Sequence, residues 1–396
     1  MRIKKSLPSF CTSNLDVIKA IVLYAKVKNL PILIESTSSQ VNQFGGYTNN
    51  KPYQFKNKIF KICSALNFPK KKIMLGADHL GPFPWLQYKG HTAWKNSINL
   101  LKNCIKSNYK KIHIDTCYNF KDQKKLSKND IIKKSLELFK IVKKKNIFFV
   151  FGTETPFPGS KSNLRIGFTK VETLKKEVNI YLKYFKTINY KSRFAYVIEP
   201  RMFFSHFKIY KPKILLLKKH VDFSKKKNFF FEAHSTDYQP QSVLRKLVLN
   251  NFKFLKVGPE LTFFFLKAIL AMEKIEKNFS EDKKSKITDV LLLNMNKYPL
   301  YWFKYYKGSK SYIQKLLLQS KLDRVRYYWD KNEVSKSIFL LKKNINKLKI
   351  SLILSELKHD KSNLNIFKSS KITNFEFVVL IFLKKTLEKY YKACFF

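Results

Sequence analysis

Glycine and arginine are what this chain has least of. Ten of its 396 residues are glycine, only seven of its 79 basic residues are arginine, and 27 acids leave a formal net charge of +52. The scarcity of glycine goes with the absence of a Gly-rich phosphate turn after the first apolar run, which argues against a doubly wound dinucleotide-binding sheet. The scarcity of arginine argues against a dedicated polyanion reader, because bidentate contacts to phosphates and base edges favour the guanidinium. The lysines also run along the whole length instead of gathering in one patch. Lys, Asn, Ile, Phe and Tyr are swollen together, as A/T-biased codon drift produces, so the charge bears on solubility before it bears on partners. No specific nucleic-acid partner is expected.

Cysteine is sparse too. Cys11, Cys63, Cys104, Cys117 and Cys394 show no CxxC-type spacing, which excludes a cysteine zinc cage and a disulfide framework and predicts reduced thiols. No apolar run reaches the roughly 20 residues of a membrane span. Near the start, Pro8, Asn14 and Asp16 interrupt the apolar stretch that a secretory signal needs. A cytoplasmic protein without a membrane partner is expected.

What the chain does have is a rhythm. Short apolar runs at Ile32 to Glu35, Ile73 to His79, Ile112 to Asp115, Ile147 to Glu154, Phe194 to Glu199 and Phe229 to His234 each end in a carboxylate or a histidine. Stretches with helical spacing alternate with them, near 14–29, 54–67, 91–108, 128–145, 170–188, 208–222, 240–250 and 262–278. Ser13 with Asp16, Ser127 with Asp130 and Thr169 with Glu172 have the form of capping boxes. With a first strand near Ser9 to Thr12 and a last near Phe254 to Val257, the count reaches eight strands and eight helices. The predicted fold is therefore α/β, a (β/α)₈ TIM barrel over residues 1–278. A helical, aromatic C-terminal extension over 279–396 is expected to pack on it.

In such a barrel, strand ends far apart in sequence assemble one site. Asp78 and His79 emerge together in Gly76-Ala77-Asp78-His79-Leu80-Gly81-Pro82, and His113 with Asp115, like Glu232 with His234, lie two apart and share a strand face. Asp78, Asp115 and Glu154 are candidate acids or bases, and with Glu199 and the histidines they form a candidate site for Zn²⁺ or another divalent ion. The stretch from Glu35 through Asn42, Gln43, Gly45 and Gly46 can hydrogen-bond a sugar or a phosphate, or serve as an ordinary barrel loop whose amides cap strand ends. Lys256, Gly258, Ser235 and Asp237 lie where barrels seat a phosphate, against the alternative of plain turn chemistry.

Eight blocks in order, IESTSSQVNQFGGYT, GADHLGP, KIHIDT, GTETPFPG, EAHSTDYQ, LKVGPELTF, YWFKYY and DRVRYYW, resemble the non-catalytic (Z-type) subunit family of class II D-tagatose-1,6-bisphosphate aldolase. The resemblance implies a barrel protein of galactitol, N-acetylgalactosamine and tagatose 6-phosphate catabolism. Such a protein lacks aldolase activity alone and supports the stability and full activity of a separate zinc-dependent catalytic subunit. It also implies an alternative, a metal-dependent tagatose 6-phosphate 4-epimerase. There an ion on His79, His206 and His234 polarises the sugar carbonyl, Asp78 or Glu154 takes the C4 hydroxyl proton, and retro-aldol cleavage and re-addition invert C4. The chain departs from the family in Glu199-Pro200-Arg201-Met202-Phe203-Phe204-Ser205-His206, where Gln-Pro-Gly-Val-Glu-Phe-Asp-His is the expected form, and at Lys161, where an acid is expected. Loss of those acids favours the subunit role.

Overall fold

The fold was obtained as a computed structural model, described here for residues 5–117, 126–142, 146–152, 167–358 and 372–396. Eight parallel strands close into a barrel: β1 (Leu7–Cys11), β2 (Ile32–Thr37), β3 (Ile73–Leu80), β4 (Lys111–Ile114), β5 (Phe148–Phe151), β6 (Ala195–Val197), β9 (Phe230–Ala233) and β10 (Phe252–Val257). β10 closes the ring on β1, with Leu7 opposite Phe254 and Phe10 opposite Val257. A small antiparallel hairpin, β7 (Phe203–Phe204) with β8 (Ile209–Tyr210), stands outside the barrel.

Helices α1 (Leu15–Val27), α2 (Pro52–Ala65), α3 (Gly90–Lys106), α4 (Lys128–Val142), α5 (Val171–Thr187), α6 (Lys218–Lys226), α7 (Gln241–Leu249) and α8 (Pro259–Phe279) follow the barrel strands. Each turns an apolar stripe to the sheet, and the buried stripes of strands and helices merge into one core. A second, smaller cluster of Leu7, Leu33, Met74, Val150, Ala195, Val197 and Phe254 plugs the barrel interior toward the N-terminal ends of the strands. The polar groups that follow along the strands therefore rest on a dry floor.

Two expectations are corrected. The segment 208–222 is not one helix: it holds β8, a short 3₁₀ turn at Ile214–Leu217 and the start of α6. Pro212 explains this, since it lacks an N–H and biases the residue before it toward extended backbone. Of the three capping boxes, only Ser127 with Asp130 forms, the hydroxyl lying 2.6 Å from Asp130 Oδ2. Asn14, not Ser13, caps α1 by accepting from the Asp16 and Val17 N–H groups. Thr169 instead accepts from the Glu199 N–H at 2.9 Å.

Beyond the barrel run α9 (Ile287–Lys297), α10 (Lys310–Gln319), α11 (Asn332–Lys347), α12 (Ile350–Glu356) and α13 (Asn374–Phe395). α13 packs against α1, α7, α8 and α11 and belongs to the same apolar core as the barrel. Its Tyr390 and Tyr391 hydroxyls donate to the carbonyls of Thr236 and Pro31 at 2.8 and 3.0 Å, and Lys389 pairs with Glu260. The 298–329 stretch lies over the β2 loop, where Tyr327 stacks on Tyr301 at 4.8 Å and meets Tyr47 at 4.9 Å.

Candidate functional site

Strand alternation delivers the site. On β4, Lys111 and His113 share a face, and so do Glu232 and the following His234 at the end of β9; β2 contributes Glu35, β3 Asp78 and β10 Lys256. All seven side chains are buried. Register puts Glu35, Gly76 and Lys111 at one level of the barrel, with Thr37 and Asp78 one step above.

At the lower level the Lys111 ammonium bridges Glu35 and Glu232, 2.6 Å from Glu232 Oε2. Burial disfavours that ammonium, but Glu232 and Glu35 outweigh it and raise its pKa. The upper level is built around Lys256. Its ammonium contacts Asp78, lies 3.2 Å from Glu232 Oε1 and 2.8 Å from His234 Nε2, and His234 Nε2 is itself 2.9 Å from Glu232 Oε1. Burial works against the carboxylates here too, yet His79, Lys256 and His113 hold Asp78 well below the usual carboxylate range, and Lys111 and Lys256 do the same for Glu232. Two lysines thus neutralise the buried acids of the barrel axis.

Three imidazoles ring the mouth. The centroids of His79, His113 and His234 are 4.9 to 5.1 Å apart and meet edge to face. His79 Nδ1 is 2.7 Å from Asp115 Oδ2, which leaves Nε2 directed inward and orients the ring as a carboxylate orients a ligating histidine. That pairing holds Asp115 down at about 2 against the effect of burial. His113 Nε2 is 2.9 Å from the Gly152 carbonyl, which can only accept, so Nε2 carries the proton and Nδ1 keeps its lone pair. Burial pushes His113 down to about 4, so the ring is neutral at physiological pH. Its Nδ1 accepts from the His79 backbone N–H at 3.3 Å and lies 3.1 Å from Asp78 Oδ1, the oxygen that the Lys256 ammonium also contacts.

The donor set suits a divalent ion. Ligand atoms of Asp78, His79, His113 and His234 all lie within 4.8 Å of one another, three imidazoles and a carboxylate, the chemistry that Zn²⁺ takes. A second set, Glu35, Asp78 and Glu232, is equally close and is bridged by the two lysines, of which Lys256 also contacts Asp78 and His234 of the first set.

The residues expected at the site divide into groups. Glu35, Asp78, His79, Asp115, His234 and Lys256 come together, Lys256 as an axial cation and not as part of a phosphate turn. His206, expected as a metal ligand, does not join the other histidines. It sits on the turn of the β7–β8 hairpin, its Nδ1 2.8 Å from Ser320 Oγ and its ring against Tyr306. His113 is the third histidine of the cluster. Glu154 and Lys161 lie outside the described residues.

The β2 loop spends its polar groups on itself and on α3. Asn42 donates to the Ser38 carbonyl and accepts from the Phe44 and Gly46 N–H groups, and Gln43 donates to the Asn96 carbonyl. Gly45 and Gly46 have φ of 108° and 61°, and a Cβ on Gly46 would lie 2.3 Å from the Gln40 carbonyl oxygen. Asp237 accepts from the Gly258 and Glu260 N–H groups at 2.9 and 2.8 Å and so caps the start of α8, while Ser235 occupies the positive-φ turn just before it. Burial and the Glu260 charge push Asp237 up to about 7.

Sequence reasoning passed over Lys111, Glu232 as an ionic partner, and Cys11, whose thiol lies 3.3 Å from Asp78 Oδ2. It did register the missing glycine at Arg201. That residue has φ of 63°, a conformation glycine adopts freely, with its guanidinium over the Phe168 ring.

Comparison with known proteins bears on this geometry. The family described as D-tagatose-1,6-bisphosphate aldolase subunit GatZ/KbaZ-like matches residues 2–395. D-tagatose-1,6-bisphosphate aldolase subunit GatZ of Salmonella gallinarum is 30% identical over 359 residues, 87% of this chain and 85% of that one. The protein of the same description from Escherichia coli is 31% identical over 359 residues, covering 87% and 86%. A crystal structure from Sinorhizobium meliloti, described as a probable tagatose 6 phosphate kinase, superposes with a TM-score of 0.85 at 26% identity, over 98% of this chain and 100% of that one. Among the described residues, no helix is long and apolar enough to cross a membrane.

Proposed function

The chain belongs to the D-tagatose-1,6-bisphosphate aldolase subunit GatZ/KbaZ-like family, and on that premise we propose that it is the accessory subunit of a tagatose-bisphosphate aldolase. It binds the folded catalytic class II chain and raises that chain's stability and turnover through mass action on the folded state. The observation that carries this reading is the family match from residue 2 to residue 395. The axis of the barrel agrees with it, because the Lys256 ammonium already supplies positive charge to Asp78, Glu232 and His234. Co-expression with a catalytic class II aldolase chain is the test. The two chains are expected to co-purify, and the catalytic chain to lose half-life and turnover without this one; unchanged half-life and turnover would refute the role.

The cluster of three histidines and Asp78 supports a second reading, a metal-dependent sugar-phosphate epimerase. Asp78, His79, His113 and His234 hold the ion, zinc in the first place, and Asp115 fixes the His79 ring. When bound, the ion polarises a sugar carbonyl and stabilises the charge that develops in retro-aldol cleavage. Asp78, kept ionised by His79, Lys256 and His113, would lend negative charge to that set as a ligand. Purified protein loaded with Zn²⁺, Mn²⁺ or Mg²⁺ is expected under this reading to interconvert tagatose and fructose 6-phosphates, and no exchange with any of the three ions would rule it out.

A further inference from the structure

The floor of the barrel, opposite the histidine mouth, carries a second concentration of charge. A cavity of about 360 Å³ opens there, lined by Lys5, Arg245, Asn251, Lys253 and the last turn of α13. The pairing of β10 with β9 slips between Phe252 and Phe254, a bulge that leaves Lys253 as the unmatched residue and turns its side chain toward the Phe230 ring. The Lys253 ammonium lies 5.0 Å from that ring's centroid, and the Arg193 guanidinium lies 5.4 Å from it. Lys253 is only 5% exposed, and among the described residues neither it, Arg193, Arg245 nor Lys5 forms an ion pair with a carboxylate.

Lys253 shares the Phe230 ring with the exposed Arg193 and differs from the other cations in being buried. Arg245 and Lys5 donate to the carbonyls of Ala393 and Phe395, and so offset the negative end of α13. Arg193 stacks on an aromatic face, as guanidinium does. Lys253 makes no hydrogen bond to any described group, and burial together with Arg193 pushes it down to about 8. A buried ammonium beside another cation, with no anion in reach, is unfavourable unless something outside the chain completes it. Arginine adds weight: of only seven in the chain, Arg245 lines this cavity and Arg193 stacks on Phe230, one of its lining residues.

We propose that the barrel floor is an anion site that takes a phosphate group, free or as a phosphate monoester, on Lys253, with Arg245 and Lys5 at its rim. Two or more fixed positive charges match a dianion better than a single carboxylate, and charge-assisted contacts of this kind are strong when partly buried. The site is separate from the mouth, so it stands whether the protein is a subunit or an epimerase. An anion bound there joins β10, α7 and the end of α13, and its occupancy would set how firmly the C-terminal helix is held.

The test is calorimetric titration of the full chain with inorganic phosphate at fixed ionic strength. Lys253→Met is compared with an exposed control, Lys226→Met, and a mouth variant, His234→Ala. Saturable binding that weakens at least about tenfold in Lys253→Met, and is unchanged in the other two, is the expected result. Fructose 6-phosphate is the second probe: parallel weakening assigns the site to monoesters, and weakening of phosphate alone assigns it to the free ion. Without phosphate, Lys253→Met should melt no lower than the wild type, because it removes an uncompensated buried charge. Wild-type affinity in Lys253→Met, or a clear fall in its phosphate-free melting temperature, would overturn the proposal.

Discussion

Replacing Lys111 with methionine tests the ionic core directly. The substitution keeps the length and apolar stem of the side chain and removes the ammonium that bridges Glu35 and Glu232 inside the barrel. Both carboxylates are fully buried, and Glu35 Oε2 already has no hydrogen-bond partner, so neither can turn to solvent for compensation. Breaking a buried pair by removing one partner costs about 3–5 kcal/mol. For a chain of this size, an unfolding entropy of about 2 cal/mol/K per residue converts that loss into a melting shift of roughly 4–6 °C. The pH dependence identifies the cause. In the wild type, Glu232 has a folded pKa depressed by Lys111 and Lys256, so its stabilisation is present above the unfolded value near 4.3 and disappears as pH falls through the folded value. Without Lys111, Glu232 keeps only Lys256 of its two lysines against the effect of burial, and the variant regains stability as pH falls and that acid protonates. The gap between wild type and variant, followed by urea unfolding with circular dichroism, should therefore be widest above about pH 7 and narrow toward pH 5. Adding Glu35→Gln to Lys111→Met should return part of the loss, since one orphaned charge is gone. A loss below about 1 kcal/mol at pH 7.5, or an equal loss at pH 5 and pH 7.5, would refute the reasoning.

Other perturbations follow from the same geometry. If the cluster holds zinc, Asp115→Asn should lower its affinity by about 10- to 100-fold, because it loosens the His79 ring, whereas His206→Ala should leave zinc content by mass spectrometry unchanged; an equal loss in both would bring His206 into the ligand set. Asp237→Asn should flatten the pH dependence of stability. The wild-type carboxyl, raised to about 7, contributes stability below the unfolded value near 4 and loses it as pH rises to about 7, so the variant should be the more stable at pH 8, by at most about 4 kcal/mol. Denaturant titrations of the two proteins at pH 5.5 and 8 read this, and parallel curves would contradict it. Gly76→Ala puts a Cβ 2.6 Å from Glu35 Oε1 at the crowded level of the barrel, and should destabilise by about 1–3 kcal/mol in thermal unfolding; a neutral result would mean that Glu35 does not need that space.

The barrel was legible because its signal repeats: eight apolar runs at strand length are separated by helical periodicity, six of them end in a carboxylate or histidine, and no Gly-rich turn follows the first as a doubly wound sheet would have. What failed to read correctly was local. The 208–222 stretch has helical spacing, yet Pro212 ends that pattern and a hairpin takes its place. His206 went with it: on the hairpin turn its ring meets Ser320 and Tyr306, apart from the other three histidines.

The ionic core was half legible, and the reason lies in composition. Acids and histidines stand out at strand ends because this chain has few of them, so Asp78, His79, His113, Asp115 and His234 drew notice. Lys111 and Lys256 did not stand out as axial cations, because lysine is everywhere in the chain. The phase of the strand nevertheless carried the information: Lys111 lies two residues before His113 in an otherwise apolar β4, so any register that turns His113 inward turns Lys111 inward as well. A lysine forced into a dry interior must meet an acid there, and the acids at matching depth are Glu35 and Glu232. The buried cations that hold the barrel's acids in place are thus set by strand alternation, a constraint that compositional drift on the surface leaves untouched.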